Sequence, residues 1–342
     1  MAPKNNRTLK AAAGVVVAGL VAGAGYGGYQ LHRWSANWDR AAEKGAVYGD
    51  PGSGVTIAPE LLTWHQVGRI GTGLASVKSF AFLKDGSLVV AGERKLRLMS
   101  TAGQVLRDIP LQGVPQAVAV MDTPDGTLLF AGMVDHVEVF DTVGAPHGKW
   151  PTFGDDAFLT CLSPGAAGKT LWVADAGRRV VDELDLTGKV LREVGRADDA
   201  THAPGLVVPS AHLDVAVAGK DGLVWVNNPG RHEMEAYDPQ GVMVRQWGQA
   251  GPGVGLFSGC CNPTDFFMLG DDRIVTAEKG TPRVAVYTIT GDLQSVITAD
   301  FLPDTAGIDV AGDSSGRVWI LDPIAHDLRI YAPNAGGLAG NL

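Results

Sequence analysis

The feature that most constrains this chain is a repeat: a turn followed by a short apolar strand recurs six times, at roughly 40 to 54 residue spacing. The strands read Ser87–Val90, Thr127–Phe130, Thr170–Val173, Leu223–Val226, Arg273–Thr276 and Arg317–Ile320. A second apolar run follows each of them, at Leu96–Leu98, Val137–Phe140, Val180–Leu184, Glu235–Tyr237, Val284–Tyr287 and Leu328–Tyr331. Runs this short cannot build an amphipathic helix, and Gly or Asp at the joints, as in Asp85-Gly86 and Thr187-Gly188, marks tight turns. A regular series of such units is the pattern of radial β repetition, in which neighbours bury one another's faces. The 46 glycines of the 342-residue chain suit that many turns.

The end of the series predicts how it closes. After Tyr331 only a Gly-rich tail remains, so the sixth unit lacks a fourth strand. The missing strand lies at the other end, where Thr63–Arg69 matches the fourth strands Val190–Arg196 and Val244–Gln249. Pairing it with the strand that ends at Tyr331 would seal the ring and cover edges that otherwise invite aggregation. The expectation is an all-β, six-bladed β-propeller over residues 57–342, closed by an N-terminal strand.

These units resemble NHL-repeat propellers, whose blades share a Gly turn, an apolar strand, a small-acidic step such as Ala174-Asp175, a basic residue before the third strand and a closing Gly. The resemblance covers about Ile57 to Pro333. Blade one departs from it with Gly92-Glu93 at the acidic step, and blade two with Gly132 and no acid. Such propellers serve as enzymes, binding platforms and scaffolds, so the resemblance implies a fold rather than an activity.

The first thirty residues follow different physics. Lys4, Arg7 and Lys10 precede an uncharged apolar stretch from Ala11 to about Leu31, which reads as a signal anchor or a signal peptide over residues 1–31. About 20 apolar residues are enough to span a bilayer, with Tyr26, Tyr29 and Trp34 at the level of an interfacial belt. Ala22-Gly23-Ala24 offers an alternative cleavage site. Residues 32–56 read as a short helix and a linker. Positive charges before the apolar stretch place the N-terminus inside and the propeller on the extracytoplasmic, periplasmic side of the cell membrane, as a single-pass protein.

One segment stands apart chemically, Gly259-Cys260-Cys261-Asn262-Pro263. Aligning the repeats on their turns places the cysteine pair just before an innermost strand, at the mouth of the central channel. Adjacent thiols in an oxidising compartment can close into a vicinal disulfide. The pair then has three possible uses: a redox couple, a rigid apolar platform for a ligand, or a soft thiolate pair for a metal such as Cu(I); a disulfide that only fixes a turn is the fourth reading. Structural zinc does not fit the spacing. Cys161, inside an apolar strand, reads as a small buried hydrophobe. The same alignment sets Asn262 opposite His212 and Asp265 opposite Asp309, giving a candidate ligand site of Cys260, Cys261, Asn262, Asp265, His212 and Asp309. A basic residue recurs in the hairpin after each second strand, and Arg178, Arg231, His232, Arg283 and His326 form a candidate anion-binding face.

A formal charge of −9 without a basic run excludes a nucleic-acid partner. No Gly-x-Ser-x-Gly elbow, zinc-protease helix or phosphate loop is present. The sequence therefore reads as a tethered module that binds a small ligand or a protein partner at the channel face, with the cysteine pair as its link to a redox system. The alternative is a metal-dependent propeller enzyme, because lactonases and the peptide-amidating lyase, which the repeats also look like, hold a metal in the channel. No cofactor is named by any motif.

Overall fold

The computed structural model describes residues 56–165, 168–270 and 272–334. The anchor or signal at 1–31 and nearly all of the linker at 32–56 lie outside the described residues. Among those described, no helix is long and apolar enough to cross a membrane.

After a short 3-10 turn at Pro59–Leu61 comes β1 (Trp64–Gly71), and the rest of the chain lays down four-stranded antiparallel sheets in order. Blade one holds β2 (Ser79–Phe82), β3 (Leu88–Gly92), β4 (Lys95–Met99) and β5 (Val105–Pro110). Blade two holds β6 (Ala117–Thr123), β7 (Gly126–Gly132), β8 (Val137–Asp141) and β9 (Pro146–Lys149). Blade three holds β10 (Leu159–Pro164), β11 (Thr170–Asp175), β12 (Val180–Asp185) and β13 (Val190–Val194). In blade four come β14 (Val215–Val217), β15 (Val224–Asn228), β16 (Glu233–Tyr237) and β17 (Met243–Trp247). Blade five is β18 (Asp265–Leu269), β19 (Arg273–Glu278), β20 (Arg283–Thr288) and β21 (Leu293–Thr298). Blade six supplies β22 (Asp309–Gly312), β23 (Val318–Asp322) and β24 (Asp327–Pro333), and takes β1 as its outer strand.

Closure is as the sequence predicts: His65 faces Ala332, Arg69 faces Arg329 and Gly71 faces Asp327. The inner strands β2, β6, β10, β14, β18 and β22 each touch the next, and β22 returns to β2, so the ring is complete. Second strands such as β3, β15 and β23 are buried at every position because each is flanked by sheet on both edges and by another blade on both faces. Trp225 packs against blade five and Trp319 against blade one, and Trp172 is fully buried. At the seam of the ring, Trp319, Leu321, Leu328 and Ile330 of blade six pack with Phe80, Leu88, Val90 and Met99 of blade one in one apolar cluster. Fourth strands face solvent, except β21, onto which the start of β1 folds: Trp64 Nε1 donates to Ser295 Oγ at 3.0 Å.

The departure in blade one has a steric reason. In blade three the acidic-step Asp175 is buried and accepts the backbone N–H groups of Phe158 and Arg178. At Gly92, the matching position of blade one, a Cβ would sit 2.2 Å from the carbonyl oxygen of Ser76. The incoming backbone occupies the space that the acid fills elsewhere, and only glycine admits it.

Candidate functional site

The segment Gly259–Pro263 reaches β18 through a left-handed glycine, φ +77° at Gly259, which turns the chain toward the axis. Asn262 then anchors the segment to its surroundings. Its Nδ2 donates to the carbonyls of Ser258 (2.5 Å) and Lys279 (2.8 Å), its Oδ1 accepts the Lys279 N–H at 2.9 Å, and its own N–H donates to Pro229 O at 3.1 Å. The side chain is buried and fully engaged. This corrects its place among the ligand-facing groups: an amide satisfied by three backbone partners holds the cysteine segment against the end of β19, and thereby positions Lys279.

Lys279 is the residue the cysteines need. Its Nζ donates to Ser210 Oγ at 2.8 Å, that oxygen lies 2.9 Å from Cys261 Sγ, and Cys261 Sγ lies 3.2 Å from Cys260 Sγ. Both sulfurs are thiols here, Cys260 half-buried and Cys261 buried. The hydrogen bond from Cys260, the Lys279 charge and the Ser210 hydroxyl outweigh burial and lower the Cys261 thiol to about 5. Cys260 moves the other way, pushed up first by its hydrogen bond to Cys261 and then by burial. The hydroxyl and the cation behind it both stand on the Cys261 side, so they favour negative charge on the inner sulfur.

His212 leans from the segment before β14 toward Gly307, on the segment leading to β22; its Cε1 is 3.8 Å from where a Cβ on Gly307 would be. Burial, and after it the charges of Lys279 and Lys78, depresses its imidazole to about 3, so the ring is neutral. A neutral histidine therefore stands near Lys279 and the cysteine pair.

Below the cysteines, a polar residue at or beside the start of five of the six inner strands ties one blade to the next. Asp214 Oδ2 accepts the N–H of Phe266 (2.6 Å), Asp265 Oδ1 that of Val310 (3.1 Å), and Asp309 Oδ2 that of Phe80 (2.6 Å). Blade one repeats the device with Ser79 Oγ and the N–H of Val118 at 3.4 Å, and blade three with Thr160 Oγ1 donating to Leu213 O at 2.5 Å. Asp265 and Asp309 are therefore blade-to-blade latches on the channel wall. Burial raises Asp214 to about 6 and Asp309 to about 7; Asp265, buried between those two carboxyls, rises well above the usual carboxylate range. Cys161 joins this wall, its thiol pushed up by burial and then by the Asp214 charge, with Sγ 3.6 Å from Val215 O.

The basic hairpin residues are engaged within the propeller. Arg178 donates to Asp182 (2.6 Å) and Glu193 (2.9 Å). Arg283, 2% exposed, grips both oxygens of Glu278 at 2.7 and 2.8 Å and the carbonyl of Leu256. Burial still raises Glu278 to about 7 against the opposing pull of Arg283. Arg231 holds the carbonyls of Pro204 (3.0 Å) and Gly205 (3.4 Å), and His232 Nε2 meets Gly259 O at 2.9 Å. His326 sits at a left-handed hairpin position, φ 55°, and its carbonyl accepts from Thr72. The Arg178, Arg231, His232 and Arg283 side chains thus make contacts within the propeller.

The sequence reading missed Lys279, Ser210, Lys78 and Asp214. Asp214 was hidden by register, since the segment before β14 is one residue shorter than that before β18, and pairing Asn262 with His212 put Val215 opposite Asp265. A lysine straight after the acidic-step Glu278 was the available signal for Lys279.

No family model matches the chain, and no curated protein does either. Solved structures are similar in fold. A catalytically inactive virginiamycin B lyase from Staphylococcus aureus, with quinupristin, aligns with a TM-score of 0.53 at 11% identity over 75% of this chain and 80% of that one. A streptogramin B lyase aligns with a TM-score of 0.53 at 10% identity over 81% of this chain and 100% of the other. The likeness is that of a six-bladed propeller.

Proposed function

We propose that this chain is an extracytoplasmic, membrane-tethered propeller of NHL type that binds a ligand or protein partner at its channel mouth, with Cys260 and Cys261 as a redox couple. The observation that carries the reading is the chain of contacts Lys279, Ser210, Cys261, Cys260. A cysteine pair that only fixes a turn needs no cation-backed hydroxyl at one sulfur and no access to the other. The metal-dependent alternative, lactonase-like or lyase-like, would draw on the three channel aspartates. One oxygen of each accepts a neighbouring blade's N–H, and among the described residues no three His, Cys, Asp or Glu side chains are grouped to hold a metal ion.

The test is a redox titration of purified protein in glutathione buffers, with alkylation and peptide mass analysis. Cys260 and Cys261 should change together from two alkylated thiols to none, while Cys161 does not respond to the buffer. A pair alkylated at every ratio would refute the couple. Tethering is tested separately by carbonate washing of membranes, which should leave the protein attached; release with a mature N-terminus near Gly25 would mean a cleaved signal.

A further inference from the structure

The two sulfurs are not equivalent, and the difference assigns a direction to their chemistry. Cys260 is half-buried at the channel mouth, whereas Cys261 is buried with its sulfur 2.9 Å from Ser210 Oγ, which in turn receives Lys279 Nζ at 2.8 Å. Resting on the redox-couple reading above, we infer that the oxidised pair accepts electrons from an anionic thiol, which attacks at Cys260 and expels Cys261 as the stabilised thiolate.

The balance is that of thiol–disulfide exchange. The incoming thiolate forms a bond to Cys260 Sγ, the Cys260–Cys261 bond breaks, and its electron pair leaves on Cys261, where the Ser210 hydroxyl and the Lys279 charge receive it. A second thiolate then attacks the substrate sulfur of the mixed disulfide, freeing Cys260, which takes up a proton. Two substrate thiols are oxidised to one disulfide and the pair is reduced to a thiol and a thiolate. Any external disulfide restores the oxidised pair by the reverse exchange. Exchange is faster when the leaving thiol is more acidic, and the structure places the stabilising groups at the sulfur that attack on Cys260 makes the leaving group. Reversing the roles would bring a bulky nucleophile to a buried sulfur.

Charge sets the substrate class. Lys279, whose Nζ donates to Ser210 Oγ at 2.8 Å with that oxygen 2.9 Å from Cys261 Sγ, sets a cation beside the pair. The neutral His212 ring has no hydrogen-bond partner among the described residues and is free to meet a carboxylate or sulfonate. Asp265 and Asp309 on the wall beneath already accept backbone N–H groups.

Protein oxidised with diamide supplies the test, with mercaptoethanesulfonate (anionic), mercaptoethanol (neutral) and cysteamine (cationic) as reducing probes, each rate divided by that thiol's rate with a neutral model disulfide. The anionic probe should be about threefold or more faster than the cationic one, the effect of one charge pair near a wet surface. Lys279→Met should slow reduction about tenfold, and Lys279→Arg should stay within about twofold of the parent protein. The backbone clamp from Asn262 survives both substitutions, and equal melting temperatures confirm that the variants fold. When reduction of the oxidised protein is quenched early with acid, peptide mass analysis should find the probe disulfide-bonded to Cys260 and not to Cys261. If diamide forms no Cys260–Cys261 disulfide, the redox-couple reading itself fails. If the disulfide forms but Lys279→Met is as fast as the parent, or Cys261 is the modified sulfur, the couple stands and the assigned direction is overturned. Equal normalised rates for the three probes would overturn the anionic substrate class.

Discussion

Blades four to six and blades one to three line one channel with the same backbone and different chemistry. At the position that ties each inner strand to its neighbour, blades four, five and six carry Asp214, Asp265 and Asp309, whereas blades one to three carry Ser79, Ala117 and Thr160. Both halves close the ring, so a charged latch is not required by the fold. Three neighbouring carboxyls in a buried wall influence one another's protonation, whereas Ser79, Ala117 and Thr160 put no carboxyl at the same position. The cysteine pair stands over the titratable half, beside the boundary between blades four and five.

The largest effect should come from separating the halves where the chain closes them. Deleting through Arg69 removes most of β1, leaves β24 an open edge and uncovers the Trp64 site on β21. The melting temperature should fall by tens of degrees or folding should fail, whereas deletion through Gly54 should change it little. Equal melting of the two truncations would contradict the closure seen in the register of β1 with β24.

A smaller effect compares the latches directly. Asp309→Ala removes a 2.6 Å bond and leaves the Phe80 N–H without its partner, which should cost about 2 kcal/mol. Ser79→Ala loses only a 3.4 Å contact and should cost below about 1 kcal/mol. Denaturant unfolding of the two variants measures the difference, and equal losses would mean that the charged latch adds nothing to the neutral one.

A third comparison lies in the pH dependence of stability. Asp214 and Asp309 titrate near 6 and 7 in the folded protein and near 3.8 in the unfolded chain, so the folded state holds more protons between about pH 4 and 7. Their contribution is therefore fully present below about pH 4 and is lost as the pH rises through 7. Asp309→Asn should flatten the decline in stability between pH 5 and 7.5, and Ser79→Ala should leave its slope unchanged. A slope that stays the same in Asp309→Asn would show that the carboxyls do not share protons.

What could be read in advance divides along the same line. Strand positions, blade number and the closing role of Thr63–Arg69 were legible because each depends on local apolar runs and turn residues, repeated often enough to calibrate one another. The cysteine pair stood out for the same reason, as a departure from a repeat. The surroundings of the pair were not legible, since they depend on which side chain turns inward across 50 or more residues. Ser210 and Lys279 are 69 residues apart in the chain and 2.8 Å apart in space. Asn262 looked like a polar group aimed at a ligand because a buried asparagine and a channel-facing one are written with the same letter; its partners are backbone atoms that the sequence does not distinguish. The recurring hairpin bases could be read either as partners of the repeat's own acids or as an anion-binding face, and Arg178 and Arg283 pair with Asp182, Glu193 and Glu278.

The account turns on Cys261 being the thiolate of the pair, and that is directly measurable. Thiolate ultraviolet absorbance of the fully reduced protein, monitored against pH, should show one sulfur ionising near pH 5, and this transition should vanish in Cys261→Ser. A reduced protein whose first thiol ionises only near the ordinary cysteine value of about 8.5 would contradict it.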